Sequence, residues 1–459
     1  MSELEAGAGG AAANPHFLDH VVDAAEQQEL QASEDIVAGN GMKLLAKGAR
    51  ISAALRERLL QHKLGKPLEE SVQVVGGLGA QDLAPVADGL LQQHGLLRVL
   101  CAHEQAQPVA QSLARLNLSP PLLSLLSLYA RLGEERLPHT VGVAALALAL
   151  ARKLLPGDIE RHRQLAIAGL VHDIGELYID PALLRRDAPL DASQWKHIAT
   201  HPLVGYRVLR RLPGAGDAIA QAVLSHHERL DGFGYPRGLR DEQFPLGGQI
   251  LAAAEWLMGL IESGSEPLAH ASVASRLIPG EFSPALLELI SASARDSREL
   301  REQASQPALA ALDAMAPQLQ RVSEGLGRFQ ASRAWLDERI AEAGPQLRMV
   351  LELGRQRMQR IQASFSSSGL DVHSPAQILQ QLRDAPDARG QLELEVLVRE
   401  FGWRLRELQR EAMLRAGLLS AEESAVMQAL IDRLNGVDGA DAADAAYAGS
   451  QAGSEPAPD

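Results

Sequence analysis

The sequence predicts a mainly α-helical protein: an all-α helical core, preceded by a small amino-terminal α+β module and followed by a carboxy-terminal helical region. Three observations predict it. From about residue 139 to 262, apolar runs alternate with Gly- and Pro-bearing loops, and β-branched alternation is almost absent. Beyond Phe282-Ser283-Pro284, apolar residues recur at three- and four-residue spacing between charges, as on amphipathic helices. Between Asp35 and Ile51, by contrast, short apolar runs flank the turn Gly39-Asn40-Gly41 in the manner of a hairpin.

Taken in order, residues 1–15 are rich in Ala and Gly and are expected to be disordered. Residues 16–83 form the α+β module, with the hairpin, a helix from a Ser52 cap to about Leu64, and a returning strand at Val72 to Val75. Nothing in this module looks catalytic, so a regulatory or docking role is expected of it. Residues 84–137 read as connecting helices broken at Pro108 and Pro120-Pro121. Residues 138–290 form the core, with helices at roughly 139–155, 160–173, 191–200, 202–212, 216–229 and 247–262. Residues 291–436 carry amphipathic stretches at Arg333 to Phe365 and Gln391 to Gly417, and a capping box at Ser420 to Glu423. Phe401, Trp403 and Leu405 are expected to pack there, either within a docked bundle or against a second chain in a homodimer. The tail 437–459 is acidic and has too little apolar content to fold alone.

A chain of 459 residues has room for two or three domains and a full core. Its single cysteine, Cys101, excludes an internal disulfide and removes thiolate clusters from the metal options. The start, MSELEAGAGG, lacks the basic and apolar regions of a secretory signal. Val141 to Ala151 is about half of the length a spanning helix needs, so a cytoplasmic protein with no membrane span is expected. A formal charge of −14 argues against a nucleic acid polymer as partner. Between 139 and 260 thirteen Asp/Glu face thirteen Lys/Arg, so bound divalent ions would turn the core positive and suit an anionic substrate.

The chemistry concentrates in His226-His227-Glu228-Arg229-Leu230-Asp231-Gly232-Phe233-Gly234-Tyr235-Pro236, where two imidazoles close the apolar run Ala218 to Leu224. His172-Asp173 stands likewise at the end of Leu165 to Val171. Helical neighbours point about 100° apart, so such doublets suit two ions side by side, or a helix end where the geometry loosens. His139, His201 and Glu255 complete the candidates, and seven of the fourteen histidines lie between 139 and 227. His162 and His197 are expected to be ordinary hydrogen-bonded or solvated side chains. Mixed imidazole and carboxylate ligation of two close cations fits a metal-assisted hydrolase, with Asp173 the ligand best suited to lie between the ions. Gly232 and Gly234 allow positive φ or close backbone approach, Pro236 fixes the exit direction, and Tyr235 can stack on a base or donate to a phosphate.

The order H, HD, H, HH, carboxylate and the string HHERLDGFGYP resemble the HD-GYP family, a branch of the HD phosphohydrolases, over roughly residues 139–262. The resemblance implies a bacterial protein with an all-α HD-type core that hydrolyses the signalling molecule cyclic di-GMP or a related cyclic dinucleotide. It implies two or three divalent metal ions, iron or manganese, held by His139, His172, Asp173, His201, His226, His227 and Glu255, with Asp173 bridging. Glu135, four residues before His139, is the candidate for a third ion, with Pro138 in between. Asp231, Gly232, Gly234, Tyr235, Pro236 and Arg237 form the loop expected to meet substrate or a protein partner of the signalling pathway.

The chain departs from the family pattern at several places. Glu176 stands where the family has Lys near the phosphate, Gly142 where it has Arg, and Glu255 where it has Asp. Gln249 to Met258 loses an Arg and two Asp, and Glu262 to Pro267 replaces a substrate-contacting Arg-Pro-Tyr-Arg segment. Glu176 is therefore expected to repel phosphate, with Arg237 and Arg240 compensating. The alternative expectation is a catalytically weak, metal-retaining signalling adaptor that acts through protein contacts.

Overall fold

The computed structural model describes residues 13–27, 29–102, 106–184, 192–263, 266–278, 280–298, 300, 309–367, 374–384, 387–416 and 419–436. Residues 1–12 and the tail 437–459, both read from sequence as disordered, lie outside them. The described residues fall into two compact units. The first runs to Ala294 apart from two short segments, and the second takes Arg295 onward with those segments.

In the first unit, α1 (Pro15–Gln27) buries Phe17, Leu18 and Val21, so ordered helix begins at the last residue of the stretch expected to be disordered. Strands β1 (Leu30–Ala32), β2 (Ile36–Val37) and β3 (Lys43–Leu45), helices α2 (Ala53–Leu60) and α3 (Leu68–Ser71), and β4 (Val72–Val74) complete the module. The hairpin lies where Asn40-Gly41 signals it: β2 pairs antiparallel with β3, and Gly41 takes φ +82°. β4 instead pairs antiparallel with β1, Leu30 opposite Val74, an element too short to show alternation in the sequence. α2 stops at Leu60, before the expected end, because Leu64 bridges Ala38 and Gly65 N donates to Val37 O at 2.8 Å. Those pairings need extended backbone.

Helices α4 (Leu83–Gln93), α5 (Gly95–Cys101), α6 (Val109–Ala114) and α7 (Pro120–Tyr129) lead into the core helices. These are α8 (Arg136–Leu154), α9 (Ile159–Val171), α10 (Ala192–Ile198), α11 (His201–Leu209), α12 (Asp217–Leu224) and α13 (Leu246–Glu262). The core is all-α, as predicted. α8 begins three residues earlier than the sequence suggests, because Pro138 falls in its first turn, where a helix does not use the missing N–H. By length and composition α8 would pass for a membrane span, but every residue from Thr140 to Ala151 is buried, and it packs on α9 and α13. α12 ends at Leu224, five residues before the expected boundary, which leaves His226, His227 and Glu228 beyond the helix.

The second unit is built from Leu309–Glu342, Pro345–Ser367, Pro375–Asp384, Ala388–Ala416 and Ala421–Asn435. The stretch Arg333 to Phe365, read as one amphipathic run, breaks at Gly344-Pro345, where Pro345 opens a new helix. The capping box forms: Ser420 Oγ accepts from Glu423 N at 3.2 Å, and Glu423 Oε2 accepts from Ser420 N at 3.1 Å. Phe401 is buried edge-on to Phe365, and Leu405 is half-buried. Trp403 does not pack as expected and is 40% exposed, since two residues on from Phe401 is about 200° around the helix.

Gly169 marks the closest approach in the core. A Cβ there would lie 2.5 Å from Ala144 Cα and 2.7 Å from Ala144 N, atoms of a backbone that cannot swing aside. Gly169→Ala is therefore expected to cost about 1–3 kcal/mol, the range of an overpacked core. A thermal midpoint equal to that of the unaltered protein would contradict this packing.

Candidate metal centre

Three of the candidate histidines stand where helices end: His172 follows α9, His201 lies three residues past the last residue of α10, and His226 lies two past α12. The final carbonyls of a helix have no donor within it. Each imidazole supplies one. Nδ1 of His172 donates to Gly169 O at 2.8 Å, Nδ1 of His201 to Ile198 O at 2.8 Å, and Nδ1 of His226 to Val223 O at 2.6 Å. Only a protonated nitrogen can donate, so in the neutral rings Nε2 is left as a bare lone pair. The backbone thereby selects the tautomer that a metal ligand requires.

These lone pairs converge on two groups that share Asp173. Asp173, His201, His226 and His227 form one group, and His139, His172 and Glu255 the other. Asp173 Oδ1 lies 3.2 Å from His201 Nε2 and 3.4 Å from His226 Nε2, while Oδ2 lies 3.2 Å from His172 Nε2 and 3.8 Å from His139 Nε2. Each oxygen faces its own group. Glu255 Oε2 is 3.2 Å from both His139 Nε2 and His172 Nε2, yet it is buried with no hydrogen-bond donor. The imidazoles also face each other, His139 Nε2 to His172 Nε2 at 3.2 Å and His201 Nε2 to His226 Nε2 at 3.0 Å. Opposed lone pairs at that range repel unless a proton or cation lies between them. Ligand atoms about 2.1 Å from a shared ion and at right angles around it would be about 3.0 Å apart. The residues present thus fit divalent cations.

Electrostatics agree. Burial opposes charge on His139, His172 and His201, but the carboxylates beside them overcome it. His139 and His201 are pushed upward and His172 reaches about 10. Burial likewise works against ionised Asp173 and Glu255, and the neighbouring imidazoles still hold both well below the usual carboxylate range. His226 and His227 go down, through burial first and then through the other imidazoles. Without metal the cradle therefore stores protons, and cations would replace them.

The other sequence candidates are placed differently. Glu135 joins neither group: its carboxylate is largely exposed, with Oε1 3.7 Å from Arg136 Nε. Pro138 leaves the helix intact, and the Glu135 carboxylate, at the helix cap, lies out at the surface beside Arg136. In the loop, Gly232 takes φ +81°, and a Cβ on Gly234 would collide with the backbone of Glu228 and Arg229. Asp231 Oδ1 accepts from Phe233 N at 3.1 Å, and Arg237 Nη2 donates to Ser225 Oγ at 2.8 Å, so both brace the loop from within. Tyr235 is half-buried and stacks on His227, with ring centroids 4.6 Å apart, and its peptide bond to the exposed Pro236 is cis. Gly142 is filled by Met258, whose Sδ and Cε occupy the space a Cβ would take, so two departures from the family pattern form one packed pair.

Glu176 requires a correction. It is not a bare anion, since Arg136 Nη1 donates to its Oε2 at 2.6 Å and Tyr129 OH lies 3.2 Å from the same oxygen. Burial, then the charge of Asp173, pushes its carboxyl upward against the pull of Arg136. The repulsion expected from the sequence is thus largely cancelled.

Four residues escaped the sequence reading. Glu262 Oε1 takes a hydrogen bond from His139 Nδ1 at 2.7 Å, and its spacing of seven from Glu255, two turns on the same face, was a usable signal. Arg136, three before His139, was legible in the same way. Glu228 is fully buried and accepts from Arg237 N at 2.7 Å and Leu239 N at 2.9 Å, anchoring the loop, while Tyr129 OH lies 3.3 Å from Asp173 Oδ2. No sequence spacing points to these last two.

Residues 116–274 match the family profile of the HD domain. A 3′3′-cGAMP-specific phosphodiesterase of Vibrio cholerae is 27% identical over 227 residues, covering 47% of this chain and 48% of that protein. A cyclic di-GMP phosphodiesterase of Pseudomonas aeruginosa is 38% identical over 126 residues, covering 27% of this chain and 30% of the relative. A cyclic di-GMP phosphodiesterase of Thermotoga maritima is 28% identical over 173 residues, covering 36% and 46%. The chain spans less than half the length of each of these relatives.

Because His172 holds its proton up to about 10, metal entering at pH 8 must displace it. Loading is expected to release at least about one proton per chain, with apparent affinity rising as pH rises toward that value. Titration calorimetry in two buffers of different ionisation enthalpy measures the count. A count of zero would contradict the proton-storing cradle.

Proposed function

We propose that this chain, whose residues 116–274 match the HD domain and whose HHERLDGFGYP string resembles the HD-GYP branch, is a metal-dependent phosphodiesterase that hydrolyses cyclic di-GMP or a related cyclic dinucleotide with a metal-activated water. The observation that carries this reading is Asp173, which turns one oxygen to each of two ligand groups drawn from helices far apart in sequence. The relatives named as cyclic dinucleotide phosphodiesterases supply the substrate class.

His139, His172 and Glu255 would hold one cation, and His201, His226 and His227 the other, with Asp173 between them. Imidazole and carboxylate together suit several divalent transition metals, and the family resemblance favours iron or manganese among them. When bound, such a pair acidifies water and offsets the charge on a phosphoryl group. The chain's own residues do the rest. Backbone carbonyls fix the imidazole tautomers, Glu262 orients the His139 ring, and buried Glu228 holds the Gly-rich turn that brings Tyr235 against His227. Tyr235 borders the cradle as a face on which a base can stack.

Purified protein loaded with manganese, or with iron in the absence of oxygen, is expected to convert cyclic di-GMP to linear or mononucleotide product. Asp173→Ala should lower metal occupancy and cut turnover by at least about a hundredfold, since even residues that only support a metal ligand cost about 10–100-fold. Chromatography of the nucleotides together with metal analysis checks both. Full metal content with no product from any cyclic dinucleotide would overturn the reading.

A further inference from the structure

Arg136 lies beside the cradle with most of its hydrogen-bonding capacity unspent. It sits one helical turn before His139 on the same face of α8, and its side chain is only 14% exposed. Nη1 donates to Glu176 Oε2 at 2.6 Å and to Tyr129 OH at 2.9 Å. Tyr129 OH is in turn 3.3 Å from Asp173 Oδ2, so one hydroxyl separates the guanidinium from the carboxylate shared by both ligand groups. Nε is buried and makes no hydrogen bond, its nearest carboxylate oxygen, Glu135 Oε1, lying 3.7 Å away. A buried N–H without a partner is costly, and a guanidinium offers donors in a planar fork that matches phosphate oxygens.

We propose that Arg136 binds a phosphate of the substrate at the edge of the cradle, and that Glu176 and Tyr129 are positioning residues that hold its guanidinium there. This rests on the phosphodiesterase reading. It also gives the acid at 176 a purpose. A flexible cation would lose freedom on gripping phosphate, whereas one already pinned through Nη1 has less to lose. Arg136 and Glu176 act as a unit, with the cation on α8 and its bracket on the turn after Asp173.

The test uses the full chain loaded with manganese and four variants: Arg136→Ala, Arg136→Lys, Glu176→Lys and the double variant Arg136→Ala/Glu176→Lys. Metal content, KM and kcat on cyclic di-GMP, and the dissociation constant of inorganic phosphate are measured for each. Arg136→Ala is expected to keep its metal while KM and the phosphate constant rise about tenfold, the loss of one charge-assisted hydrogen bond. Arg136→Lys should recover part of this. Glu176→Lys alone should bring no gain, because it sets two cations against each other. The double variant should bind phosphate better than Arg136→Ala, since it returns a cation to the same place from the other side.

The proposal is overturned if Arg136→Ala leaves both constants within about twofold of the parent. It is equally overturned if that variant empties the metal sites, or if the double variant binds phosphate no better than Arg136→Ala. Should the parent hold metal and inorganic phosphate but turn over no cyclic dinucleotide, the phosphodiesterase reading fails, and the phosphate constants still decide the role of Arg136.

Discussion

Five imidazoles and two carboxylates share one volume in this protein, nearly closed to water, and the structure depends on what lies between them. Removing an ionised carboxylate from water costs several kcal/mol unless a nearby opposite charge offsets it. Here the offset comes in two forms. Without metal, the carboxylates favour the protonated forms of His139, His172 and His201, and bound cations would offset the same charge. The helix ends reinforce the choice of cation. α9, α10 and α12 direct their last carbonyls at the imidazoles, and the partial negative charge at a helix C-terminus favours positive charge close by.

Two of the departures from the family pattern meet a partner in the structure. Gly142 lacks a side chain where Met258 fills the space, so losing one large residue and gaining another conserve the packing between α8 and α13. Glu176 is a largely buried acid, and Arg136 is the largely buried base that pairs with it 2.6 Å away. A single substitution at either place would leave a hole or an unpaired charge.

The amino-terminal module meets the site at a defined point. Phe17 stacks on Tyr178 with centroids 4.8 Å apart, and Tyr178 OH donates to Glu69 at 2.5 Å. Tyr178 ends the short turn that begins directly after Asp173 and carries Glu176. Gly175 in that turn leaves no room for a Cβ against the carbonyl of His201, so the backbones bearing Asp173 and His201 are locked together. A stretch of only five residues thus joins the module's contact at Tyr178 to the shared carboxylate.

The sequence by itself determined the all-α core, the hairpin at Asn40-Gly41, the capping box at Ser420 and the set of residues rich enough in nitrogen and oxygen to gather cations. Those features are written in local order: apolar spacing, turn residues and doublets at the ends of apolar runs. Tertiary structure alone decided which residues face one another. Glu255, read from the chain as a ligand, enters a ligand group, whereas Glu135, offered for a third ion, ends exposed at a helix cap; sequence spacing does not fix which way such a side chain turns. The same holds for Arg136 with Glu176, forty residues apart, and for Tyr129 with Asp173. Contacts of that kind arise when separate helices pack, and no periodicity along the chain encodes the meeting of two side chains across a helix interface.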